Sequence, residues 1–389
     1  VTDALRVSQG LFQLPEDGHY LNCAYMSPLA EPVERAVIEG LRLKRDPTRV
    51  TPEHFFAPAH GVRERFARLI GAPAQPERVA LLPAVSYGIA VAARNLPVSA
   101  GQSIVLLDEQ FPGNVYAWTR LAEERGASVV RVARPGADDA HTWSQALLEA
   151  IGPRTAVVAV PAVHWTDGTR FDLVEVGRRC RDVGAALVVD GTQSIGAVPF
   201  DVEAVRPDAV VSATYKWLMG PYGMALGWFG PRFDDGIPLE EGWITRAGSE
   251  DFGGLVDYVD AYQPGALRYD VGERSNFALV PGVAAGLDLI LEWRPERISE
   301  VIRDLTAPAL DAVRSVGFRV EADEARSPHM FGIGMPEGLD PGRVAAELGR
   351  HRVHVSRRGR ALRVSPHLYN DANDLSALVD ALTAALPGR

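Results

Sequence analysis

Seven short apolar runs, rich in β-branched residues, punctuate the chain between about residues 79 and 230. They lie at 79–82, 104–107, 129–132, 156–160, 186–190, 209–212 and 224–229. Most are apolar throughout and do not alternate with polar positions, as befits strands covered by helices on both faces. The segments between fit crossover helices: 114–125 follows one run and 173–184 precedes another. The pattern predicts an α/β layered unit around a mostly parallel sheet of seven strands. After residue 280 the texture changes. Helical periodicity covers 280–293 and 295–316, short strands are predicted at 318–321, 329–334, 353–355 and 362–365, and helices at 342–350 and 373–386. This reads as a smaller α+β unit. The expected division is a large domain over 18–270 and a small one from 1–17 together with 280–389. The Gly- and Asp-rich stretch 233–272, carrying Trp243 and Tyr262, is irregular and predicted to border a site.

Composition narrows the function classes. The 389 residues are 47% hydrophobic and 23% charged, the balance of an ordinary globular protein and too long for one comfortable core. The formal net charge of −10 repels phosphate backbones and anionic lipid, so neither nucleic acid nor membrane is an expected partner. Cys23 and Cys180 are the two cysteines, too few for a disulfide framework or a metal knuckle, and no metal site is expected. No apolar run approaches a membrane span, and no basic stretch followed by an apolar one stands near the N-terminus. A cytoplasmic setting is the expectation.

The chemistry concentrates in ALVVDGTQSIGAVPFDV, residues 186–202, and VVSATYKWLMGPYG, residues 210–223. Asp190 ends one apolar run and Lys216 lies just beyond the next. Ligands of open α/β sheets sit outside the strand C-termini, so two adjacent strands would bring a carboxylate and an amine to one edge. Taken singly, such an Asp reads as a turn residue and such a Lys as solvated surface. Together they suit pyridoxal 5′-phosphate (PLP), whose pyridine nitrogen needs a buried carboxylate to stay protonated and whose aldehyde needs an amine of lowered pKa. Gln193 can reach the ring hydroxyl oxygen and Tyr215 the phosphate.

DGTQSIG with TYKWLMGPYG resembles the class V aminotransferase family of fold-type-I PLP enzymes, which includes cysteine desulfurases, selenocysteine lyases, kynureninases and isopenicillin N epimerases. The resemblance extends from YLNCAYMSPLA at 20–30 to RVSPHLYN at 363–370. It implies a Schiff base on Lys216 and a set of further roles. LLPAVSYGIA at 81–90 is similar to the phosphate-cradling loop, with Val85 and Ser86 at the helix start; Val85 and Tyr87 depart from the usual Thr and Glu, and Ser86 also fits a plain cap. Phe111 in DEQFPGNVYAW would stack on the ring, or pack as core. His164 would stand near the ring oxygen, or be a core histidine. Ser275 and Asn276 in YDVGERSNFALVPG would cross from a neighbouring subunit to the phosphate, implying a homodimer with shared sites; an inter-domain turn would look similar. Arg363 would clamp the substrate α-carboxylate, supported by Asn22.

A persulfide-forming desulfurase needs a cysteine on the loop before that arginine. Here the loop reads HVSRRGRALR, residues 354–363, and carries Arg357, Arg358 and Arg360 instead, either a solvated cluster or a contact for an acidic substrate tail. The expectation is therefore a PLP enzyme removing the Cα proton of an L-α-amino acid, with Lys216 as base. β-Elimination with C–S cleavage is favoured over transamination or epimerisation, and a catalytically silent PLP-binding protein is the rival from another class.

Overall fold

The computed structural model describes residues 10–136, 142–359 and 361–387. Its strands in chain order are β1 (His19–Tyr20), β2 (Val79–Leu82), β3 (Ser103–Leu107), β4 (Ser128–Val132), β5 (Thr155–Pro161), β6 (Ala186–Asp190), β7 (Ala209–Ala213) and β8 (Ala225–Phe229). There follow β9 (Arg319–Val320), β10 (Phe331–Gly334), β11 (Val353–His354), β12 (Ser356–Arg358) and β13 (Ala361–Val364).

One sheet has seven strands in the order β2-β8-β7-β6-β5-β3-β4. The run from β7 to β4 pairs in parallel, while β8 is antiparallel to both of its neighbours. Side-chain period explains why its inner strands are largely apolar, whereas the edge strand β4, with Ser128 and Arg131, is not. Val105, Val158, Val160, Leu187, Val189 and Val210 enter one apolar cluster. Their neighbours in sequence, Ile104, Val157, Ala159, Val188 and Val211, enter another on the opposite face. Helices Tyr116–Arg125 and Leu173–Val183 each end on a left-handed glycine, Gly126 and Gly184, that turns the chain toward the next strand.

The C-terminal part builds a four-stranded antiparallel sheet, β12-β13-β10-β9. A third apolar cluster, with Val313, Phe331, Leu362, Leu378 and Leu382, lies between it and helices Pro295–Ser315 and Ala372–Ala384. The N-terminal β1 pairs in parallel with β11, and Asn22 bridges to Ser365. Helix Leu279–Trp293, expected with this C-terminal unit, instead sends Val283, Leu287 and Ile290 into a core cluster shared with the seven-stranded sheet. Among the described residues no helix is long and apolar enough to cross a membrane.

Candidate active site

Asp190 closes β6, registered against Pro161 of β5 and Val211 of β7. Lys216 stands on the loop joining β7 to β8, so the two groups meet at the same edge of the sheet. Antiparallel pairing pins both ends of that loop. Within it the Thr214 hydroxyl lies 2.8 Å from the carbonyl oxygens of Pro221 and Met224, and Gly220 N–H donates to the Thr214 carbonyl at 2.8 Å. Met219 takes a left-handed φ of 54°, a conformation non-glycine residues adopt at a cost.

A cavity of about 260 Å³ opens here. Lys216, Asp190, Gln193, Tyr215, Phe111, Val85 and Ser86 all line it. Lys216 is buried, and that burial pushes its amine down to about 8, Asp190 opposing and Arg363 and Arg358 adding to the fall. Its Nζ lies 5.5 Å from the Tyr215 ring centroid and 5.7 Å from that of Phe111. Burial raises the pKa of Asp190, a rise opposed by hydrogen bonds from Thr192 and by the Lys216 charge; one carboxylate oxygen accepts from the Thr192 N–H at 3.0 Å. No ion pair joins Asp190 to Lys216, and both line the cavity. Gln193 is locked at both ends: its Oε1 accepts from the Trp217 indole at 2.8 Å and its Nε2 donates to the Ala24 carbonyl at 3.1 Å. One amide hydrogen remains.

These residues fit PLP on three counts. A buried carboxylate without a cation partner suits a protonated pyridine. A lysine of depressed pKa suits the aldehyde. Helix Val85–Asn95 starts behind Ala84, which offers no side-chain oxygen to the first N–H groups, leaving them for a phosphate.

Arg363, on β13, is 1% exposed. Its guanidinium donates to the Trp165 carbonyl at 2.9 Å, with the Ser356 hydroxyl at 3.3 Å and Asn22 Oδ1 at 3.5 Å. Asn22 is thereby brought to Arg363, and its Oδ1 also accepts from Ser356 at 2.9 Å. The Nε of Arg363 has no partner, and no carboxylate of the described residues pairs with it. Burial lowers its pKa to about 10, the Arg358 charge adding to the fall.

Other expected residues lie elsewhere. His164 is turned away from the cavity: its Nδ1 lies 2.7 Å from the Thr166 hydroxyl and its ring 4.7 Å from that of Trp143. In the bridge and turn that follow β5, Val163 and Trp165 on either side line the cavity, while the residue between them is buried against Trp143. In the single chain, Ser275 donates to the Phe55 carbonyl at 2.5 Å and Asn276 Oδ1 accepts from the N–H of Leu279, the first residue of helix Leu279–Trp293, at 2.9 Å. Both line a separate groove with Leu41 and Trp243. Arg360 falls outside the described residues. Trp165, Tyr222 and Ser356 were not singled out from the sequence.

The family model for aminotransferase class-V matches residues 51–378. An isopenicillin N epimerase of Streptomyces clavuligerus is 27% identical over 83% of each chain. A probable cysteine desulfurase of Methanothermobacter thermautotrophicus is 26% identical over 95% of each. The structure of a cysteine desulfurase from Thermococcus onnurineus superposes with a TM-score of 0.84 at 21% identity, over 97% of each chain, which shows a shared fold.

Proposed function

Since the chain belongs to the class-V aminotransferase family, enzymes whose cofactor is PLP, we propose that it acts on an L-α-amino acid held at its α-carboxylate by Arg363, and that Lys216 moves the proton at Cα. The observation carrying this reading is the buried guanidinium of Arg363, which has no anionic partner. An uncompensated buried charge costs several kcal/mol, and a substrate carboxylate accepted on the planar fork offsets it. Asn22 and Ser356 fix the fork's orientation.

Bound PLP supplies the electron sink for the bond broken at Cα. Asp190 would hold the proton on the pyridine nitrogen, Phe111 would cover the ring, the free amide hydrogen of Gln193 would serve the ring oxygen, and Tyr215, Ser86 and the helix start at Val85 would take the phosphate. With its pKa near 8, Lys216 has a usable neutral fraction at neutral pH, as a base requires.

Loss of a β-substituent, as in C–S cleavage, is the outcome we favour. A persulfide relay is disfavoured because both cysteines are buried, and desolvation pushes the Cys23 thiol up to about 12. Epimerisation is the second reading, favoured by the relative named isopenicillin N epimerase. A homodimer completes the proposal: Ser275 and Asn276, which in one chain line a groove separate from the Lys216 cavity, would serve the partner's phosphate. Exposed Leu41, Trp243 and Phe252 near that segment support a covered face.

The test is to mix holoenzyme with amino acids in heavy water, following visible absorbance, α-deuterium and release of ammonia and keto acid. Exchange at Cα with keto-acid release is expected. Deuterium with inversion and no release selects epimerisation. A coloured protein whose spectrum answers no amino acid would mark a silent binder.

A further inference from the structure

Arg358 stands two residues beyond Ser356 on β12, and Ser356 is registered against Arg363 of β13. Residues two apart on a strand share a face, so Ser356, Arg358 and Arg363 project together. Arg358 lies diagonally from Arg363, a spacing at which like charges repel. Both cations meet the same residue: Arg363 donates to the Trp165 backbone carbonyl, and the Arg358 guanidinium carbon lies 4.9 Å over the Trp165 ring. Trp165 in turn lines the Lys216 cavity and packs edge-on against Phe111 at 5.5 Å. Arg358 is half-buried, its Nε is buried without a partner, and its recorded hydrogen bond goes to its own neighbour, the Arg357 carbonyl, at 2.9 Å. No carboxylate of the described residues pairs with it. Arg357, on the opposite face, is exposed and donates to Gly359. The two neighbours are thus different: one solvated, the other held over the rim of the site.

From this geometry we infer that Arg358 receives a second acidic group, carried on the substrate's side chain, so that the substrate class is an α-amino acid with a distal carboxylate. Arg363 takes the α-carboxylate common to all amino acids; Arg358 separates acidic side chains from neutral ones of the same size. An anion between the two guanidinium groups would relieve their mutual repulsion and give the Arg358 Nε its missing acceptor.

The inference rests on the amino-acid reading above, and one experiment separates their failures. Holoenzyme is titrated with L-aspartate, L-glutamate and L-2-aminoadipate, and with L-asparagine and L-glutamine as neutral counterparts, reading dissociation constants from the visible spectrum. At least one acid is expected to bind about tenfold more tightly than the amides, the scale of one charge-assisted contact. Arg358→Gln should erase that gap with amide binding unchanged, Arg358→Lys should keep part of it, and Arg357→Gln should leave it intact. Arg363→Gln should weaken acids and amides alike. Equal binding of acids and amides, or a gap that survives Arg358→Gln, overturns the role of Arg358 and leaves Arg363 standing. A spectrum unmoved by every amino acid overturns both.

Discussion

Lys216 and Arg363 are both cations lowered by burial, and the cost of that burial is met by different partners. For Lys216, the neutral amine is the reactive form, and it is populated as pH rises through about 8. Stopped-flow absorbance of apo-protein mixed with PLP should therefore show loading that speeds up between pH 7 and 8.5 and then levels; loading independent of pH would contradict the depressed amine. Lys216→Ala should bind PLP without covalent attachment and lose at least about a thousandfold in turnover, if the lysine is both anchor and base. Arg363→Lys should not rescue Arg363→Gln, because an ammonium cannot reproduce a two-pronged grip; saturation kinetics should show KM raised in both. At this scale Asp190, Gln193 and Lys216 were expected from residue types tied to strand ends and Arg363 from the family resemblance; the structure brings the first three to one cavity and sets Arg363 in β13 beside Asn22 and Ser356. Which way Arg358 points follows from side-chain alternation along β12, whereas His164 and Trp165 lie beyond the end of β5, where no strand period sets the side that faces the cavity.

The β7–β8 hairpin is the element that presents the lysine, and helix Leu279–Trp293 backs it. Gly286 of that helix allows the approach: a Cβ there would lie 2.6 Å from the Leu218 carbonyl oxygen and 2.9 Å from the Met219 carbonyl carbon. Gly286→Ala should then lower stability by about 1–3 kcal/mol, the usual cost of overpacking, and loosen the lysine loop. Thermal melts and hydrogen exchange across 214–224 would show it; a melt unchanged from wild type would refute the tight approach. The sheet strands were legible because unbroken apolar runs are the mark of burial on two faces. The antiparallel direction of β8 was not, since apolar content carries no polarity. Strands β1 and β12 escaped too, whereas the equally short β9 and β11 were foreseen from apolar residues such as Val320 and Val353; β12 is built from Ser356, Arg357 and Arg358, a sequence with no apolar side chain.

Across the whole molecule, the seam between the two sheets is held around Trp217, whose ring meets His329 at 4.4 Å and His367 at 5.9 Å. Burial lowers these histidines to about 4 and about 3. They stay neutral in the fold while the unfolded chain takes up protons near 6.5, so stability is lost as pH falls below 6.5, by roughly 1.4 kcal/mol per pH unit for each group. Melts between pH 7 and 4.5 should follow that slope, and His367→Gln should flatten it. The homodimer proposal predicts a mass near twice 42.1 kDa in sedimentation. It also predicts weaker cofactor retention when Asn276→Ala is introduced, although within its own chain that residue lines a different groove from Lys216. The pinned loop bears on retention as well. A tethered amine beside a docked aldehyde acts at an effective concentration on the order of millimolar or more. Dialysis alone should leave the protein yellow, and bleaching it should require a competing soluble nucleophile such as hydroxylamine.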